Sequence, residues 1–112
     1  APTFDGGYAQ MTQILESGVP VETVFCGCDM IAVGAMECIL ERGLRIPEDI
    51  RLASYDDIEF ARYLRVPLTT VRQPKYHIGE QGAQALIDLI DEKQEPYAHI
   101  ILKPEIILRE ST

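Results

Sequence analysis

Apolar residues recur along this chain with two periods, and the periods alternate. After Gly6-Gly7, the residues Tyr8, Met11, Ile14 and Leu15 repeat at helical spacing until Ser17-Gly18 ends the run. Val24-Phe25-Cys26 is then a short unbroken apolar run, the pattern of a strand covered on both faces. Asp29 stands where a helix N-cap belongs, and a second helix is expected over residues 30–42, with Gly43 as its stop. Pro47 and Asp49 mark a turn, and residues 50–54 read as the next strand. Asp56 and Asp57 are expected to open a short helix over residues 58–64, with Asp57 as its cap and Pro67 closing it. Two threonines and a valine make residues 68–71 extended, as far as Pro74. A long helix follows over residues 77–92, where Ile78, Gly82, Ala85, Leu86 and Leu89 form one apolar stripe. Gln94-Glu95-Pro96 reads as a loop. Ile100-Ile101-Leu102 and Ile106-Ile107-Leu108 read as two short strands broken at Pro104, which cannot donate to a ladder.

Apolar strands alternating with helices predict an α/β fold, an open and mostly parallel sheet flanked by helices. The helix over residues 30–42 carries one apolar stripe, Ile31, Ala35, Cys38 and Ile39, and a second on another side, Val33, Met36 and Leu40. Covering one face of a sheet takes a single stripe. The second therefore predicts a subunit interface, with cover by another helix of the same chain as the alternative.

Composition narrows the function. The 112 residues suffice for one small domain, and a net charge of −8 repels phosphate backbones, so the chain alone is a poor nucleic-acid binder. Cys26, Cys28 and Cys38 are odd in number, and the Cys26–Cys28 spacing is neither a zinc knuckle nor a thioredoxin motif. They read as reduced thiols in a cytoplasmic protein. No apolar stretch is long enough to span a bilayer. There is no glycine-rich phosphate loop, no serine elbow and no metal-spaced set of His, Cys and Asp, so no catalytic residues, metal or cofactor are expected. His77 and His99 read as solvent-facing or boundary residues. Glu37 and Glu41, one turn apart, read as a solvated edge rather than an acid/base pair.

Three segments in register carry more. They are Val24-Phe25-Cys26-Gly27-Cys28-Asp29-Met30-Ile31-Ala32-Val33-Gly34-Ala35, then Gly43-Leu44-Arg45-Ile46-Pro47-Glu48-Asp49-Ile50 running on to Ser54-Tyr55-Asp56-Asp57, then Pro67-Leu68-Thr69-Thr70-Val71-Arg72-Gln73-Pro74. Together they resemble the lactose/galactose repressor family over residues 7–110. The resemblance implies the C-terminal subdomain of a periplasmic-binding-protein-like type I fold, with an incomplete second subdomain. Residues 1–70 would form the C-terminal subdomain. Residues 71–98 would make a crossing and a helix that packs on a missing N-terminal subdomain, and residues 99–112 would return. The stripe of that helix, without its usual partner, is expected to dock on a second copy or to repack on its own chain.

The resemblance also implies a function. The chain would be a fragment of a bacterial transcriptional repressor that senses a small effector, a sugar, sugar phosphate or purine. A homodimer is implied, with operator DNA bound through a helix-turn-helix that this chain lacks. The alternative is a periplasmic sugar-binding protein of an ABC transporter, which shares the two-lobed fold. Asp56 matches the family aspartate that contacts the effector. Cys28 stands where several sugar-responsive members carry asparagine or aspartate, and a thiol is a weaker hydrogen-bonding group. Gln73 matches a cleft-lining position near the hinge, and Phe4 is the nearest aromatic to the family's stacking residue before the first helix. Val33, Met36, Leu40, Tyr63 and Leu64 are the implied dimer surface, with intrachain packing the other reading for Tyr63 and Leu64. Asp29 reads as a helix cap before it reads as a ligand contact.

Overall fold

The computed structural model describes residues 2–92 and 99–112. The predicted loop at Gln94-Glu95-Pro96 lies outside the described residues. The elements run α1 (Phe4–Glu16), β1 (Thr23–Phe25), α2 (Asp29–Glu41), β2 (Arg51–Asp56), a 3-10 turn (Glu59–Tyr63), β3 (Thr69–Arg72), α3 (Lys75–Ile90) and β4 (Glu105–Ile107). The sheet order is β1-β2-β3-β4. β1 pairs with β2 in parallel, Thr23 opposite Arg51 and Phe25 opposite Ala53. β2 pairs with β3 in parallel, Ala53 opposite Thr69 and Asp56 opposite Arg72. Parallel neighbours need a crossover, and α2 supplies the first. The expected α/β class, with an open and mostly parallel sheet, is what forms.

Two compact units divide the chain. One comprises residues 1–72 and 106–112, the other residues 73–105. The first unit holds the core, where Met11, Ile39, Leu52 and Leu68 are fully buried. Each such side chain contributes about 1.5–3 kcal/mol by leaving water. The tail after β4 seals this core. Ser111 is fully buried. Its hydroxyl donates to the Leu52 carbonyl at 2.5 Å and accepts from the Thr69 N–H at 2.8 Å. Its carbonyl accepts from the Leu52 N–H at 2.8 Å.

α1 begins four residues earlier than the sequence pattern places it. The Thr3 hydroxyl caps it by accepting from the Gly6 N–H at 3.1 Å, so Gly6 and Gly7 lie inside the helix. The two helices of this unit touch backbone to backbone. A Cβ on Gly34 would lie 2.0 Å from the Phe4 carbonyl oxygen, and one on Gly7 would lie 2.0 Å from that of Ile31. Polar contacts flank this crossing: Tyr8 Oη donates to Glu41 Oε2 at 2.6 Å, and Arg42 Nη2 to Glu16 Oε1 at 3.1 Å. Glu37 accepts from Arg65 Nη2 at 2.8 Å. Part of the apolar surface of α2 is thus covered by another helix of its own chain.

One sequence expectation is corrected, and one of two alternatives for another is removed. Residues 100–102 do not form a strand; only the second apolar run does, as β4. A β-branched run needs a ladder partner to become a strand. The stripe on α3 does not repack within its unit: no residue of α3 is buried, and Ile78, Leu86 and Leu89 are 45%, 59% and 41% exposed.

Candidate functional site

Because β1, β2 and β3 are parallel, their carboxyl ends open on one side of the sheet. Ligands of open parallel sheets bind at that side. Asp29 organises it. As the first residue of α2 it is fully buried, and its carboxylate reaches three other segments. Oδ1 accepts from the Ser54 hydroxyl of β2. It also accepts from Thr70 Oγ1 of β3 at 2.7 Å, while Oδ2 accepts from the Ile58 N–H at 2.8 Å. The expected cap role is therefore overturned. The N-cap is Cys28, extended at φ −156°, whose side chain makes no capping bond. A carboxylate in the first turn still faces the positive end of the helix dipole, which favours its charge.

Asp57 is not a cap either, since Ile58 takes that position. Its Oδ2 accepts from Arg72 Nε at 2.6 Å, and its Oδ1 lies 2.8 Å from Arg109 Nη2. Its N–H donates to Thr70 Oγ1 at 3.2 Å, so Asp57 and Asp29 share Thr70. The backbone here is left-handed, with φ +123° at Asp56 and +55° at Asp57. Burial pushes the Asp57 carboxyl up, but the hydrogen bonds and charges of Arg72 and Arg109 outweigh it and hold it below the ordinary aspartate value. A carboxyl lowered by folding adds stability that is fully present above its unfolded value of about 3.9 and is lost as pH falls through the folded value. Asp57→Asn should therefore cost stability at pH 7, on the order of 3 kcal/mol for breaking a mostly buried pair. The gap to wild type should narrow as pH drops below about 4. Urea midpoints from pH 7 to pH 3 test this, and a gap independent of pH would refute it.

Cys28 is half-buried at the tip that precedes α2. Its neighbour Cys26 is buried and has its thiol pushed up to about 11, first by burial and then by the charges of Cys28 and Asp29. Cys26 is thus a protonated, unreactive thiol at neutral pH. Among the described residues all three cysteines are free, no His/Cys/Asp/Glu group could hold a metal, and no helix is long and apolar enough to cross a membrane.

The sequence matches the periplasmic binding protein-like domain family over residues 1–112. The chain belongs to that family. The ribose operon repressor of Haemophilus influenzae is 43% identical to this domain over 108 residues, 96% of the chain and 32% of the repressor. The HTH-type transcriptional repressor PurR of Pasteurella multocida is 40% identical over 107 residues, 96% of the chain and 32% of that protein. Among solved structures, the transcriptional regulator CelR in complex with cellobiose superposes with a TM-score of 0.92 at 31% identity, over 98% of the chain and 34% of the regulator. A LacI-family regulator from Enterococcus faecium with bound ribose superposes at 0.86 and 31% identity, over 98% and 40%. The chain thus spans about a third of the length of the curated relatives it matches. The resemblance to the lactose/galactose repressors, and the fold it implied, are borne out; the relatives are transcriptional repressors.

In this periplasmic binding protein-like domain the structure places the predicted site residues unequally. Asp56 ends β2 and Cys28 sits before α2, both half-buried at the carboxyl side of the sheet. Gln73, half-buried, opens the second unit directly after β3. Phe4 lies inside α1 as its first residue, and its carbonyl abuts Gly34 of α2. Of the residues expected at a subunit surface, Met36 is 3% exposed in its own core, and Val33, Leu40 and Leu64 are half-buried. Leu40 and Leu64 pack against that core. Tyr63 is 75% exposed. The sequence pattern singled out neither Arg72, Arg109, Ser54 nor Thr70. Ser54, Thr70 and Arg72 lie within the segments that carry the resemblance, whereas nothing in the sequence pattern marks Arg109.

Proposed function

We propose that this domain forms one wall of the effector site of a cytoplasmic transcriptional repressor, with a sugar of the ribose class as the effector. The observation that carries the reading is the set of strand tips bound together by Asp29, which presents Cys28 and Asp56 on one side of the sheet. A carboxylate there accepts charge-assisted hydrogen bonds from vicinal hydroxyls, each stronger than a neutral pair. The ribose operon repressor among the relatives and the ribose bound to the E. faecium regulator make D-ribose the first ligand to test. Gln73 and Phe4 are proposed as further contacts. Val33, Leu40, Tyr63 and Leu64 are proposed as the dimer surface, without Met36, which is buried in the chain's own core. Operator DNA is proposed to bind through a part of the protein outside residues 1–112, because the charge of −8 opposes phosphate binding here. No catalytic role is proposed.

The test is calorimetric and thermal-shift titration of the full-length protein with D-ribose, ribose 5-phosphate and a purine base. A ligand at 100 times its Kd should stabilise by about 2.7 kcal/mol. Asp56→Asn should weaken the binder by at least about tenfold, the equivalent of roughly 1.4 kcal/mol. Unchanged affinity in this variant would remove Asp56 from the site, and preference for the purine would reassign the effector.

A further inference from the structure

Asp57 is bound at the same time by two arginines that stand at special places in the chain. Arg72 is the last residue before the chain leaves the first compact unit, and Arg109 follows shortly after its return at Ile106. Both pairs lie inside the first unit. The Asp57 and Arg109 side chains are 5% and 12% exposed, that of Arg72 45%. Arg109 is itself held on β3: its Nη1 donates to the Leu68 carbonyl and its N–H to Thr69 Oγ1, both at 2.8 Å. The residue they hold adjoins Asp56, whose φ of +123° is a conformation that L side chains rarely adopt and that costs on the order of 1–3 kcal/mol. Such a conformation persists only where its surroundings over-determine it. The two ion pairs, the Asp57 N–H on Thr70 and the Ile58 N–H on Asp29 are those surroundings.

We propose that Asp57 is the positioning residue of the site, a staple that holds the strained Asp56 tip and locks it to both chain crossings, β3 at Arg72 and the returning tail at Arg109. The staple would make the two crossings move with the tip rather than independently. A ligand that pulls on Asp56 would then act on both crossings through one adjacent carboxylate. The role of Asp56 as a ligand contact rests on the function proposed above; the mechanical link does not.

Amide hydrogen exchange on the ligand-free full-length protein, wild type against Asp57→Asn, Arg72→Gln and Arg109→Gln, tests the link. Asp57→Asn should speed exchange at residues 56–58, 69–72 and 109–111 together, by about tenfold or more beyond the rise that the lower global stability gives α1 and α2. Arg109→Gln should free the tail and the tip, and Arg72→Gln the end of β3 and the tip. The Asp57→Asn/Arg109→Gln double variant should not exceed the Asp57→Asn effect at the tip, because Asp57→Asn already removes the Arg109 pair. Acceleration at one crossing alone, or an equal rise throughout α1 and α2, would overturn the proposal. Titration with D-ribose separates the two readings. If wild type binds, Asp57→Asn and Arg109→Gln should each weaken binding while Asp56 itself is intact, and unchanged affinity would show that the staple does not position the tip. If wild type does not bind, the ribose reading fails and the exchange pattern alone decides the link.

Discussion

Gly34→Ala is expected to destabilise this domain by about 3 kcal/mol, at the upper end of overpacking penalties. An added Cβ would sit 2.0 Å from the Phe4 carbonyl oxygen and 2.7 Å from the Tyr8 nitrogen. Both atoms are backbone within α1, so no side chain can rotate away; the whole helix must retreat from α2. That retreat would strip contacts from Met11, which α1 buries in the core, and would lengthen the Thr12–Cys38 contact of 3.3 Å. The sign is informative, because alanine is a better helix former than glycine by about 1 kcal/mol and would stabilise at an open position. Gly7→Ala should cost a similar amount through the Ile31 carbonyl. The double variant should cost less than the two singles combined, since both force the same separation of the same helices. Urea unfolding of the three variants is the measurement. A Gly34→Ala cost within about 0.5 kcal/mol of zero, or full additivity, would show that the close crossing is not what holds α1 in place.

This crossing also shows where sequence reading loses its grip. Gly6-Gly7 looks like a breaker ahead of a helix, because glycine is poor in helix interiors. Here Gly7 is inside the helix because a backbone from α2 occupies the space of its Cβ. The local cue that places the helix start correctly was present in Thr3, an N-cap residue. The strands fared better: continuous or β-branched apolar runs at Val24, Leu52 and Val71 have no other low-energy use in a chain of this size. At the site the failures share one cause. From sequence, Asp29 and Asp57 look like caps because capping is the strongest local role of an aspartate before a helix. Their real partners are Ser54, Ile58, Thr70, Arg72 and Arg109, which become neighbours only after the parallel sheet has formed. Local periodicity carries the elements, and resemblance carries the fold. Neither carries a carboxylate that joins three strand tips or a tail that returns to lock them.

Asp29→Ala is the second large effect expected, about 3–5 kcal/mol, and its comparison with Asp29→Asn separates a network from a packing role. Alanine would leave the Ser54 hydroxyl, the Thr70 hydroxyl and the Ile58 N–H without their acceptor. Ser54 is fully buried and Thr70 1% exposed, so water would replace the acceptor only by opening the strand tips. Each stranded donor costs about 1–3 kcal/mol. Asparagine keeps the shape. Its carbonyl oxygen can take the Ile58 N–H, and its amide can donate to the Ser54 hydroxyl, which is free to turn round and accept. Thr70 Oγ1 is the weak point, since it already accepts from the Asp57 N–H and would have to redirect its own proton. Asp29→Asn should therefore cost about 1–2 kcal/mol, well short of alanine. Because Thr70 links Asp29 to Asp57, Asp29→Ala should also loosen the tip that carries Asp56, lowering ligand affinity along with stability. Thermal and urea unfolding of both variants give the ranking. Equal costs for alanine and asparagine would mean that buried volume, not hydrogen bonding to one carboxylate, holds the three strand ends together.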